Sequence, residues 1–219
     1  MYKKALAILI FFLLGKCDIS FCQVTEGRII YDITYPENTF DSVVKKSLPN
    51  ECLTYFSPEK MRMDISLGAG MINSILVDNV KEEVHVLTDV SGNKTDYFSN
   101  RKDLEKQGVN AGNYAIQTTD DERTIAGYKC HKAVATDTKG NTYTAWFTNE
   151  VHIANPNWNN QFSNVGGFLM EFSMMLGQLK MEMKARVVYP EKLAPEIFLV
   201  PEGYTLVSGS DLKKIIRGK

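Results

Sequence analysis

The sequence predicts a mainly β protein with a minor helical part, built around an antiparallel meander. Three observations carry that expectation: strict two-residue alternation, turn chemistry recurring roughly every ten residues, and little helical periodicity. In "GRIIYDITYP", Ile29, Tyr31, Ile33 and Tyr35 share one parity, while Arg28, Asp32 and Thr34 take the other. "KMRMDISLG" places Met61, Met63, Ile65 and Leu67 against Arg62, Asp64 and Ser66. "LKMEMKARVVY" sets Leu179, Met181, Met183, Ala185 and Val187 against Lys180, Glu182, Lys184 and Arg186. A strand needs this pattern when one face is buried and the other meets water.

Shorter strand-like runs cover 51–56, 71–77, 82–87, 94–98, 128–136, 142–147, 168–175 and 197–200. Between them stand turn formers: Ser57-Pro58, Asp78-Asn79, Ser91-Gly92-Asn93, Lys139-Gly140-Asn141 and Gly177. No helices alternate with strands as a parallel sheet requires. Two short helices are expected. One starts at Asn100 as N-cap and stops at Gly108; the other starts at Ser210 and carries Leu212, Ile215 and Ile216 on one face. The least regular stretch, 149–167, is rich in Asn and holds Trp158. A loop of that length inside a folded unit is usually functional or mobile.

The N-terminus sets the compartment. Lys3 and Lys4 precede an apolar run from Ala5 to Leu14, and polar residues follow by Asp18. That is the layout of a secretory signal, and the run is too short to span a membrane comfortably. Ser20 and Cys22 are small residues placed for a cut before Gln23, so 1–22 reads as a signal peptide and 23–219 as one β-rich domain. The competing reading is a lipoprotein box at Leu13-Leu14-Gly15-Lys16-Cys17, lipidated at Cys17, although Lys16 stands where such boxes want a small residue. The expected location is the periplasm or the extracellular space. Cleavage removes three lysines and one aspartate, which moves the formal net charge from −1 to about −3. Nothing basic enough for nucleic acid remains, and no second apolar run approaches a transmembrane length. A monomer is expected.

Candidate chemistry is sparse. His85, His131 and His152 lie in separate segments, and neighbouring Cys130 and His131 point to opposite faces of a strand. Metal and cofactor sites are therefore not expected. Ser57-Pro58-Glu59-Lys60 fits the S-x-x-K pattern of acyl enzymes, but Pro58 puts it in a turn, and the partner motifs are missing. No catalytic residue is assigned and no enzyme activity is expected. Cys52 and Cys130 survive cleavage into a compartment where disulfides persist, so they are either two buried thiols or a disulfide.

The methionines offer the one distinctive surface. Met61, Met63, Met170, Met174, Met181 and Met183 fall on strand-like segments. Methionine adapts its shape and is over-used where varied apolar partners must fit. These six residues either fill the core or form an apolar ligand face. A Cu(I) site is a weaker option, because the spacing gathers no tight cluster.

Residues 124–151, "TIAGYKCHKAVATDTKGNTYTAWFTNEV", resemble exported Bacteroidota proteins of the GLPGLI family and of a related family of unknown function. There an I-x-G-x-K-C-x-K-A strand precedes a hairpin and an A-W-[YF]-T strand. Asn164-Val165-Gly166-Gly167-Phe168-Leu169-Met170-Glu171 takes the place of the naming G-L-P-G-L-I-L-E motif. It keeps Gly167 and Glu171 and departs at Asn164, Val165 and Gly166, which favours the related family. "EIFLVPEGYTLV" is similar to the family's closing strand pair.

The resemblance implies a fold akin to the lipoprotein-localisation factors LolA and LolB. That fold is a curved antiparallel sheet, an unclosed half-barrel of about 10–12 strands with a few short helices on its concave face. The expected function is an exported envelope protein binding a lipid, a lipoprotein or another apolar ligand there, in company with an envelope protein. The alternative is a non-lipid module that docks a protein or glycan through 149–167.

Overall fold

A computed structural model describes residues 23–36, 40–68, 71–106, 113–176 and 179–208. The signal segment with Cys17 and Cys22, the helix expected from Ser210, and the turn at Gly177 lie outside the described residues. Twelve strands form one open, curved sheet: β1 Gly27–Thr34, β2 Glu51–Phe56, β3 Lys60–Gly68, β4 Met71–Asp78, β5 Glu83–Val90, β6 Asn93–Asn100, β7 Tyr114–Ile125, β8 Tyr128–Asp137, β9 Thr142–Thr148, β10 Phe168–Leu176, β11 Leu179–Pro190 and β12 Thr205–Ser208. Their order across the sheet is β12-β6-β5-β4-β3-β2-β1-β11-β10-β9-β8-β7, with β12 and β7 at the edges. The fold is the mainly β one that the alternation predicts, and its sheet is unclosed as the resemblance implies.

Alternation drives the pairing. Ile29, Tyr31 and Ile33 of β1 are buried, and Tyr31 lies opposite Cys52 of β2, which lies opposite Ile65 of β3. A one-residue slip would turn every one of these side chains outward, so burial fixes the register. Irregular register at Ile30/Tyr31, Thr118/Glu122 and Leu169/Glu171 bends the strands, as bulges do. Two tight hairpins have both central residues at positive φ: Ala126 and Gly127 at 50° and 88°, and Ser91 and Gly92 at 53° and 85°. That backbone matches the twist of the flanking strands.

Two sequence expectations need correction. The all-antiparallel meander breaks at two places: β1 lies beside β11, still antiparallel but out of sequence order, and β12 pairs with β6 in parallel. The closing strand pair is absent: Pro195–Phe198 is a 3-10 turn, and only Thr205–Ser208 is a strand. Residues 191–204 instead cross the convex face. There Glu26 accepts from the Leu193 N–H (2.9 Å), and Arg62 Nη1 donates to the Ile197 carbonyl (3.1 Å). The chain thus reaches the far edge only after travelling across the sheet, and arrives parallel to β6. Of the two readings open for Cys52 and Cys130, the disulfide is not formed: both are free, fully buried thiols.

Two short helices are described, α1 Ser42–Ser47 and α2 Arg101–Lys106. α2 starts where Asn100 predicts: the Asn100 side chain accepts from the Asp103 N–H at 3.1 Å, a cap that satisfies one orphan donor. α1 was not expected from the sequence, although Asp41 caps it in the same way through the Val44 N–H at 2.9 Å. No helix among the described residues is long and apolar enough to cross a membrane.

Candidate functional site

The concave face divides into a filled half and an open half. Over β8–β10 the sheet presents small residues, Ala133, Ala135 and Ala145, all fully buried. The 149–167 segment drops Phe162 and Val165 onto them, beside Phe147 and Leu169. Gly167 ends that segment against Phe147, where a Cβ would stand 2.3 Å from the ring, so only glycine lets the chain pass. Asn157 pins the segment from inside: its buried amide donates to the Val165 and Gly167 carbonyls at 2.7 and 2.9 Å.

Over β3–β5 the filling stops short. A cavity of about 270 Å³ remains between the sheet, the 149–167 segment and α2. Its floor is Met61, Met63, Ile75, Val77, Val84 and Val86; Phe168, Phe172 and Met174 form the side toward β10. Leu104 of α2 closes one flank, and Phe162 separates the space from the filled half. Polar lining comes from Thr54, Ser173 and the amides of Asn157, Asn159, Asn160 and Gln161. Tyr31 also reaches the lining, but its hydroxyl is spent on the Leu169 carbonyl at 2.7 Å.

The six methionines therefore separate into two groups. Met61, Met63 and Met174 line the cavity, whereas Met170, Met181 and Met183 are fully buried in the central core with Ile29, Tyr31 and Phe56. The valines and phenylalanines of the lining were not singled out by sequence. Their signal was present only as inward parity on neighbouring strands, for example Met63 opposite Ile75 and Ile75 opposite Val86.

α2 is held over this region by charge. Arg101 forms a two-pronged ion pair with Glu82, whose carboxylate also accepts from the Asn155 side chain at 3.2 Å. The same guanidinium stacks over Trp158 with its centre 5.5 Å from the ring. The Arg101 hydrogen bonds hold the Glu82 carboxyl below the usual carboxylate range.

The thiols do not offer chemistry. Burial pushes Cys52 up to about 12 and Cys130 up to about 11, so neither is a ready thiolate. Cys130 Sγ donates to the Tyr128 carbonyl at 3.4 Å, while His131 on the other face rests against Phe147. Ser57 and Lys60 close the β2–β3 turn, with Ser57 N–H donating to the Lys60 carbonyl at 2.9 Å. Among the described residues no three His, Cys, Asp or Glu side chains converge as a metal site. Gln23 is exposed at the start of the described chain, next to Val24, which bridges to Val151.

No family model and no curated protein matches the chain. Among solved structures, PNGF-II in a C2 crystal is similar with a TM-score of 0.57 and 15% identity, covering 88% of this chain and 32% of that one. The chain thus spans about a third of the PNGF-II chain. An uncharacterized conserved protein from Thermus thermophilus matches with a TM-score of 0.48 and 10% identity, over 84% of this chain and 91% of that one. MucB matches at 0.34 and 8% identity, over 83% and 59%. At 15% identity the likeness to PNGF-II extends to a sheet-rich fold and no further.

Proposed function

We propose that this is an exported cell-envelope protein that binds an apolar ligand in the cavity between β3–β5, β10, α2 and the 149–167 segment. The carrying observation is an apolar cavity on the concave face whose polar groups gather mainly along one wall. Binding sites for small molecules commonly have this composition, apolar surface with a few placed hydrogen-bonding groups. The signal-like residues 1–22 and the resemblance of 124–171 to exported GLPGLI-related proteins support the location. In this reading 149–167 is a wall of the ligand site, since six of its residues line the cavity and Trp158 and Val165 are buried. Docking of a protein or glycan through the same segment is the competing role.

The test is native mass spectrometry of protein purified from its own envelope, with melting followed as acyl ligands are added. Co-purified lipid and a rise in melting temperature are expected. Repeated absence of lipid together with unchanged melting would sink the proposal.

A further inference from the structure

We infer that the ligand is a single-chain lipid with an uncharged, hydrogen-bonding head group, of the monoacylglycerol kind; this rests on the ligand-binding reading above. Size decides the number of chains. At about 270 Å³ the cavity lies at the lower edge of the roughly 300–1,000 Å³ typical of small-molecule pockets. A space that small has no room for two acyl chains.

Charge decides the head. Among the described residues, none of the side chains lining the cavity is Asp, Glu, Lys, Arg or His. Arg101 of α2, the helix that supplies Leu104 to the lining, is committed to Glu82 and to the Trp158 ring. Arg62 takes the opposite parity to Met61 and Met63 and binds Asp64 and the Ile197 carbonyl on the convex face. An ionised carboxylate or phosphate entering the cavity would lose water and gain no counter-charge, which is strongly unfavourable. A hydroxyl or ester head meets a better match in the amide wall. There the Asn160 side-chain Oδ1 accepts from the Phe162 N–H at 2.8 Å, and the Gln161 side chain donates to the Ser173 backbone carbonyl at 3.1 Å. The half-buried Asn159 amide makes no side-chain hydrogen bond with any described residue, and together with the Asn160 amino group and the Ser173 hydroxyl it can receive the head.

The test is calorimetric titration of the purified protein at pH 8 with three lauroyl probes below micelle formation: monolauroylglycerol, laurate and lauroyl lysophosphatidylcholine. Monolauroylglycerol is expected to bind at least about tenfold tighter than anionic laurate or the zwitterionic lysophospholipid, whose ionic groups would each lose water on entry. Asn159→Lys, which alters a half-exposed position, should raise laurate affinity and leave monolauroylglycerol unimproved. Equal or tighter binding of laurate or the lysophospholipid to the unaltered protein would overturn the head-group inference while leaving the ligand site standing. Failure of all three probes to bind would overturn both.

Discussion

The two halves of the concave face are made by one sheet and solved differently. Over β8–β10 the strands carry alanines, and a loop supplies the bulk from outside: Phe162 and Val165 complete a buried core with them. Over β3–β5 the strands carry their own bulk in Met61, Met63, Ile75, Val77, Val84 and Val86, and the covering elements leave room. A curved sheet cannot fill its own inner face, so something else must cover it. Where the cover interdigitates the result is core; where it bridges the result is a cavity. Phe162 and Leu169 stand on the border and belong to both.

The largest expected effect lies at that border. Phe162→Ala removes a fully buried ring from the filled half and should cost about 3–5 kcal/mol, measured by urea denaturation. It also joins the two spaces, so any surviving folded protein should accept longer acyl chains. A loss under about 1 kcal/mol would mean that the two halves are not packed differently.

A matched pair of enlargements sharpens the same contrast. Ala145→Leu pushes a side chain into the closed half, against a layer that includes Phe162 and Leu169, and should destabilise by about 1–3 kcal/mol. Val86→Leu grows into the open half, and should change stability by less than about 1 kcal/mol while weakening acyl binding. Equal costs at both positions, read from denaturation midpoints, would contradict the division.

Much of this architecture was legible before any coordinates, because burial writes itself into parity. Ile29, Tyr31, Ile33, Met61 and Met63 alternate with Arg28, Asp32, Thr34, Arg62 and Asp64, with Ile30 the one apolar exception, and register follows from that alternation. What escaped lacks such a signature. β7 is an edge strand with one neighbour, and of its twelve residues only Ile125 is buried, so its sequence has little reason to alternate. α1 sets two valines in its first turns, where β-branching disfavours helix, and only Asp41 hints at a cap. The parallel pairing of β12 depends on a long crossing of the convex face, which local pattern cannot encode. The cavity is the hardest case. Met61, Met63 and Met174 were visible as an apolar set, but so were Met170, Met181 and Met183, and strand parity is blind to which inward residues a distant loop will cover.

The smallest effect concerns the cover of the open half. Arg101 and Glu82 hold α2 beside the cavity, and both side chains are about one-third exposed, which limits the pair to roughly 0.2–1 kcal/mol. The groups facing Glu82 are Arg101 and Asn155, with Glu105 acting on Arg101 from the next turn. The folded carboxyl titrates below its unfolded value near 4.3, so its stabilisation is complete above that pH and is lost as pH falls through the lower folded value. Trp158 reports the event, because the Arg101 guanidinium lies over its ring. In a Trp146→Phe background, acidification should change Trp158 fluorescence before the sheet unfolds, and Glu82→Gln should produce the changed signal already at neutral pH. The filled half has no comparable latch among the described residues, since Asn157 secures it with uncharged hydrogen bonds. A Trp158 signal that shifts only with global unfolding, and is indifferent to Glu82→Gln, would show that packing alone covers both halves.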